Sequence, residues 1–346
     1  MSHAIVSAEA GALGAGAAID RRIDVSFPED FPSLVGRPTP RRLQRLAQAM
    51  QGYDLILSYN WGAMDAVMAH TVFATALRLP PLVHHEDGFN TDEADGLKTS
   101  RNWYRRVALG RAAALIVPSQ GLERIAREVW HQPAARVRRI PNGVPTKSYG
   151  RKPRPDALPR VVKRPGELWL GTLAGLRPVK NLPRLVRAFA ALPEPWQLVI
   201  LGDGPERVRI RDEALRLELG HRVHTPGFVA DPAEAIGLFD LFALSSDSEQ
   251  FPIAMVEAMA AGLAVAAPDV GDVRAMLAPE NQPYVAAPGD EQDLATALAA
   301  LAGDPALRRS VGAANRVKAR AEFDEAGMIA AYRRTYGEAL GRAEFP

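Results

Sequence analysis

Residues 239–262 read FDLFALSSDSEQFPIAMVEAMAAG, an apolar run that ends in a polar loop and restarts as a helix. LFALSS (241–246) has strand character; Pro252 stands where a helix's first turn tolerates a missing N–H, and Gly262 where a helix stops. This reading puts Glu249 in the loop and Glu257 about two turns into the helix, with Gln250, Phe251, Ile253 and Ala254 at the junction. Free amides at a helix N-terminus, reinforced by the dipole, favour phosphate or sugar oxygens. Carboxylates accept hydrogen bonds from hydroxyls. Amides for phosphates beside carboxylates for sugars describe a nucleotide-sugar site.

Outward from this stretch, short apolar runs alternate with helical patterns through both halves. HAIVS (3–7), IDVSF (23–27), DLILSYN (54–60), PLVHHED (81–87), AALIVPS (113–119) and VRRIPNG (137–143) read as strands, separated by helical stretches at 41–50, 61–78, 101–111 and 121–130. The pattern restarts with LWLGTL (168–173), WQLVILGDG (196–204), RVHTPG (222–227) and LAVAAPD (263–269). Such alternation predicts parallel sheets covered on both faces, an α/β chain of two Rossmann-like doubly wound domains facing a cleft. The expected domains are 1–150, joined by the C-terminal helix 327–346, and 165–326. Ligands in such sheets bind beyond the carboxyl ends of the strands, so the residues just after each strand are the informative ones.

The 346 residues, 47% hydrophobic and 24% charged, are enough for two cores. No apolar run reaches the ~18 residues of a membrane span, and the N-terminus lacks a signal-peptide pattern, so a cytoplasmic location is expected. The absence of cysteine removes disulfides, thiolate chemistry and Cys-based zinc sites. The net charge of +2 conceals an asymmetry: residues 101–164 carry 16 Lys and Arg against 3 Asp and Glu. A membrane rich in anionic lipid, a phosphorylated substrate or nucleic acid could meet that surface; a solvated basic face plus a linker is the bland alternative. SRNWYRRVALGR (100–111), with Trp103 and Tyr104 beside arginines, suits a membrane interface, whereas no nucleic-acid module accompanies the charge, and no nucleic-acid partner is expected.

Three motifs are decoys. GALGAGAAID (11–20) lacks the third glycine of a dinucleotide fingerprint. DEAD (92–95) has no triphosphate-binding loop to accompany it and reads as an acidic surface turn. Asp247 and Glu249 have no further oxygen ligands near them in sequence, so no metal is expected.

Glu249 and Glu257, followed by AMAAGLAVAAPDVGDV, resemble the E-x7-E signature of retaining GT-B glycosyltransferases of family 4. LGTLAGLRPVKNLPRLVRAFA (170–190) resembles that family's phosphate-binding strand, loop and helix, LVILGDGPE (198–206) its next strand and turn, and VHTPGFVAD (223–231) its base-side segment. DLILSYNWGA, LVHHEDGF, LIVPSQ and IPNGV in the first half are also similar, so the likeness runs over nearly the whole chain. The resemblance implies transfer of a hexose-type sugar from a nucleotide diphosphate sugar, without cofactor or metal, to a glycan or lipid-linked acceptor. It implies that Glu257 holds the ribose hydroxyls, that Glu249 contacts the transferred sugar, and that Lys180 neutralises the departing diphosphate. The amides of Phe251, Ile253 and Ala254, with Gly204, complete the donor cradle. On the acceptor side it points to His85, assisting near the donor sugar, and to Asp87, Asn60 and Gly62.

Two positions depart from the family pattern. Gly175 stands where an arginine is usual, with Arg177 as the candidate replacement; Gln250 stands where glycine usually follows the first glutamate, which could narrow donor choice. HAIVS aligns better with the family's second strand than its first, so a shortened chain lacking the first strand is an expectation. Two other readings of the same fold remain: a catalytically weak sugar-nucleotide-binding protein, and a nucleotide-sugar epimerase.

Overall fold

The computed structural model describes the chain except residues 1, 10–15, 17, 18, 90–92, 94, 95, 152, 344 and 346. The glycine-rich decoy at 11–20 and the DEAD tetrapeptide therefore lie largely outside the described residues. The chain divides into two compact units, Met1–Ile140 with Ala331–Pro346, and Pro141–Ala330.

In unit 1, strands β1 (Ser2–Ala4) and β2 (Asp24–Ser26) pair with each other, in parallel, as a sheet of two described strands. A separate parallel sheet runs β3 (Ile56–Tyr59), β4 (Leu82–His85), β5 (Ala114–Val117) and β6 (Val137–Arg139), in that order. Every residue of β4 and β5 is buried, the run expected of strands covered on both faces. The covering helices are α1 (Pro40–Ala49), α2 (Met64–Leu77), α3 (Thr99–Ala108) and α4 (Gln120–Glu128). Local chemistry starts two of them: Thr39 and Ser119 are N-caps whose hydroxyls accept from the amides of Arg42 and Leu122, the latter at 3.0 Å. Met64, Val67, Leu82, Leu109, Leu115, Val117, Leu122 and Trp130 form the core.

Unit 2 has six parallel strands: β7 (Leu168–Leu173), β8 (Trp196–Leu201), β9 (Val223–Gly227), β10 (Leu241–Ala243), β11 (Val265–Pro268) and β12 (Val285–Ala286). Their order is β12-β11-β10-β7-β8-β9, so the chain winds outward from β7 one way and from β10 the other. The helices are α5 (Leu182–Phe189), α6 (Arg207–Arg216), α7 (Ile253–Ala261), α8 (Val273–Met276), α9 (Glu291–Gly303) and α10 (Pro305–Glu322); α11 (Glu325–Ala339) follows. Two apolar clusters fill this unit, one containing Trp169, Phe242 and Met259, the other Leu170, Phe189 and Leu298.

The strands read from the sequence reappear, as do the helices read in the first half; β12, whose two residues are too few to show a period, and α8, α9 and α10 were not read. Two local readings change. Glu257 lies four residues after Ile253, the first residue of α7, so it is little more than one turn into the helix. Glu93 of the DEAD segment is buried rather than a surface acid. Burial alone would push its carboxyl up, but hydrogen bonds from Arg105 and Arg101 outweigh this and hold it below the usual range.

The basic stretch changes character for the same reason. Arg105 is fully buried against Glu86 and Glu93, with its guanidinium over the rings of Trp61, Phe89 and Trp130. Arg139 pairs with Glu123, and Lys163 with Asp240. Part of the charge excess therefore meets carboxylates of the chain itself. Trp103, by contrast, is 64% exposed. Among the described residues no helix is long and apolar enough to cross a membrane.

Candidate functional site

A parallel sheet whose winding reverses leaves a crevice beyond the carboxyl ends of the two strands at the reversal, because their following loops part in opposite directions. In unit 2 those strands are β7 and β10. Residues 174–180 follow β7 and residues 244–252 follow β10, and the two loops are bonded together. The Asp247 amide donates to the Val179 carbonyl at 2.9 Å, the Ser245 hydroxyl donates to the Lys180 carbonyl at 2.9 Å, and Arg184 pairs with Asp247 at 2.7 Å.

This bonding brings Lys180 and Glu249 together across 69 positions of sequence. Lys180 Nζ lies 2.6 Å from Glu249 Oε1, which also accepts from the Ser246 hydroxyl at 2.7 Å. Both bonds fall on one oxygen, leaving Oε2 without a hydrogen-bond partner among the described residues. The Glu249 side chain is only 8% exposed. Gly271 (φ +57°), in the loop after β11, closes the site from behind: a Cβ there would lie 2.0 Å from the Glu249 carbonyl oxygen. No other residue type fits without moving that loop.

The helix after Glu249 supplies the donors expected of it. Pro252 is the N-cap of α7, and Gly262 (φ +83°) ends it in the left-handed conformation. Ile253 and Ala254 occupy the first turn, where no intrahelical acceptor exists for their amides. Gln250 and Phe251 are half-buried, and the Phe251 ring meets Phe323 edge-on.

Glu257 is buried and faces Tyr149, whose hydroxyl donates to Oε1 at 2.8 Å. Its other oxygen, Oε2, is buried and has no hydrogen-bond partner among the described residues. Burial raises the carboxyl above its usual range, with the Tyr149 hydrogen bond acting in the opposite direction. A buried acceptor without a partner is costly unless a ligand hydroxyl completes it.

Arg177 is exposed, and its guanidinium turns back over Gly175, where a Cβ would stand 3.6 Å from Nε. Among the described residues its side chain has no ion-pair or hydrogen-bond partner. It thus occupies the space beside the position at which an arginine had been expected. Gly204 packs against the same loop: a Cβ there would lie 2.6 Å from the Leu176 carbonyl oxygen, and the Leu176 amide donates to the Asp203 carbonyl at 3.0 Å.

The first-half candidates gather at the ends of β3 and β4 in unit 1. His85 is 1% exposed. Its Nδ1 lies 3.1 Å from the Ser58 carbonyl and its Nε2 2.9 Å from the Tyr336 hydroxyl, while the ring stacks on Tyr59 with centroids 4.4 Å apart. Burial pushes its pKa down to about 4. The Asn60 amide donates to the His85 carbonyl at 2.8 Å, and its side-chain oxygen accepts from the Asp87 amide at 2.8 Å. Asp87 and Gly62 are exposed. His85 therefore has no ring nitrogen left for a substrate in this arrangement.

Sequence reasoning did not find Tyr149, Ser246 or Arg184. Ser246 lies in the opening stretch and its polar position after a strand was a usable signal. Tyr149 reaches Glu257 across 108 positions, for which no local pattern exists.

Residues 3–148 match the description Glycosyltransferase Family 4, and residues 155–318 the description Glycosyl transferases group 1. A GDP-mannose-dependent alpha-mannosyltransferase of Mycobacterium tuberculosis is 31% identical over 294 residues, which are 81% of this chain and 75% of that one. The chain belongs to glycosyltransferase family 4, group 1. An exopolysaccharide phosphotransferase of Streptomyces coelicolor is 32% identical over 58% of the family 4 chain but 20% of its own length. The chain likewise spans 45% and 56% of two further relatives. Among solved structures, Anabaena HepE in complex with UDP shares the fold with a TM-score of 0.75 at 21% identity, over 98% of this chain and 100% of that one. The fold is thus that of GT-B glycosyltransferases, with two Rossmann-like domains.

Proposed function

We propose that the protein is a retaining, metal-independent glycosyltransferase that moves a hexose-type sugar from a nucleotide diphosphate sugar to a glycan or lipid-linked acceptor in cell-surface polysaccharide or glycolipid synthesis. The observation that carries this reading is the Lys180–Glu249 pair at the switch point of unit 2, beside the first-turn amides of α7 and the partly unpartnered carboxylate of Glu257. The mannosyltransferase relative, named for a GDP-mannose donor, and the UDP-bound fold neighbour support a nucleotide-sugar donor.

In this reading Glu257 accepts from a ribose hydroxyl, and the amides of Phe251, Ile253 and Ala254 meet the diphosphate, with Gly204 and Arg177 bordering the same space. Glu249 Oε2 accepts from a hydroxyl of the transferred sugar. As the bond from the sugar's anomeric carbon to the phosphate oxygen breaks, its electron pair stays on the diphosphate, where Lys180 and Arg177 neutralise it. The acceptor hydroxyl attacks the same face and passes its proton to that phosphate oxygen. A carboxylate already bonded to an ammonium and a hydroxyl is a weakened nucleophile, which supports positioning rather than covalent work for Glu249. Asp87, Asn60 and Gly62 stay assigned to the acceptor side, and exposed Trp103 with exposed Arg106 over its ring to an anionic membrane surface.

The test is a mass-spectrometric screen of nucleotide sugars for hydrolysis and transfer, run with and without EDTA. Turnover that persists in EDTA and disappears in Glu249→Ala is expected. Binding without turnover of any donor, or activity restored only by added divalent metal, contradicts the proposal.

A further inference from the structure

The Tyr149–Glu257 contact has no role in the donor chemistry described so far. Tyr149 lies in a short 3-10 turn, Ser148–Gly150, of the segment that leads into the unit 2 sheet. It is 5% exposed, and its ring packs within the apolar cluster that also holds Val256 and Met259 of α7. Only its hydroxyl is polar, and that hydroxyl is directed at one oxygen of the carboxylate on the same helix. The ring is thus anchored by apolar packing, and the O–H is aimed at an acidic group whose second oxygen has no partner.

We infer that Tyr149 is a positioning residue that holds Glu257 in one rotamer with Oε2 turned to a ligand hydroxyl, so that the protein selects ribonucleotide over 2′-deoxyribonucleotide donors. This rests on the donor reading above. Three facts bear on it. The bond to Tyr149 holds one carboxylate oxygen and leaves the other buried and unpartnered among the described residues. A site built to bond a hydroxyl rejects the analogue that lacks it, because the acceptor is then left buried and unmatched. The Tyr149 hydroxyl also donates to the charged form, opposing the burial that raises this carboxyl above its usual range.

Tyr149→Phe removes the hydroxyl and keeps the ring that the core packs against, so the variant should fold. Loss of that donor moves the Glu257 titration to higher pH, because the neutral carboxyl is no longer opposed. The experiment is calorimetric titration of the full chain with UDP and GDP and with their 2′-deoxy counterparts, between pH 5 and 8. The wild type should prefer the ribose form by about tenfold or more, the scale of a hydrogen bond to a charged group. In Tyr149→Phe that preference should shrink severalfold, the low-pH loss of binding should begin at higher pH, and affinity for the deoxy form should change little. In a Glu257→Gln background, Tyr149→Phe should have no further effect on the preference. Unchanged preference and pH profile in Tyr149→Phe would overturn the inference while leaving the donor reading intact. A wild type that binds no ribonucleoside diphosphate, whichever its base, would overturn the donor reading, and this inference with it.

Discussion

In the loop after β10, Glu249 has one carboxylate oxygen engaged by Lys180 and Ser246 and the other without a partner among the described residues; at the end of β4, His85 has both ring nitrogens engaged and its ring stacked on Tyr59. Glu249 lies in the loop after its parallel strand and His85 ends its own, and the sequence marked both as candidates for chemistry. The difference follows from topology. The sheet of unit 2 reverses its winding between β7 and β10, and the loops after these strands, though bonded to each other, leave Glu249 Oε2 and the first-turn amides of α7 unmatched among the described residues. The described strands of the larger unit 1 sheet succeed one another in a single direction, and the strand ends are covered by their own neighbours and by Tyr332 and Tyr336 of the same unit. A titratable residue after a strand is a candidate for function only where bonding capacity is left over.

The largest expected effect is at the open end. Lys180→Ala should lower kcat/KM by about 10²- to 10³-fold, as when one donor to a developing negative charge is removed, with little change in melting temperature. A tenfold loss or less would mean that Lys180 does not meet the leaving diphosphate. The closed end should show itself in stability. With its folded pKa at about 4 and an unfolded value near 6.5, His85 leaves the unfolded state binding more protons in that window, so stability falls as pH drops from 6.5 to 4. The contribution is on the order of 3 kcal/mol, and denaturant melts of His85→Gln should lack it. If the variant keeps the full pH dependence, the imidazole is not buried neutral.

Smaller effects sharpen the open end. Arg177→Ala should weaken donor binding about tenfold, the worth of one charge-assisted bond, and Arg177→Lys should recover part of it. Gln250→Gly should raise use of a second nucleotide sugar by about threefold, a fraction of a hydrogen bond's worth, when measured as a ratio of kcat/KM values. No change in that ratio would mean the side chain turns away from the sugar.

Much of this was legible in the sequence because it is local. The strands announce themselves as buried apolar runs, and the proline and glycine around α7 mark its ends. Glu249 and Glu257 were identified because they flank a helix start just past a strand, whereas Lys180 came from the resemblance to family 4. What could not be read is long-range or depends on burial. Nothing near Glu93 shows that Arg105 will be buried against it, so an acidic turn and a basic stretch were both read as surface. The histidine at 85 and the arginine at 177 are each one residue type at one plausible position; only packing shows the first enclosed and the second exposed beside Gly175. Tyr149 carries no motif at all, and its hydroxyl meets Glu257 only once the segment folds onto α7.

The most direct test of the central claim is to titrate UDP and GDP into wild type, Lys180→Ala and His85→Gln under one set of conditions, with a melt of each to establish folding. The account predicts tight binding to wild type, loss of most of that affinity in Lys180→Ala, and wild-type affinity in folded His85→Gln. Equal affinity in wild type and Lys180→Ala, or loss of binding confined to His85→Gln, would contradict it.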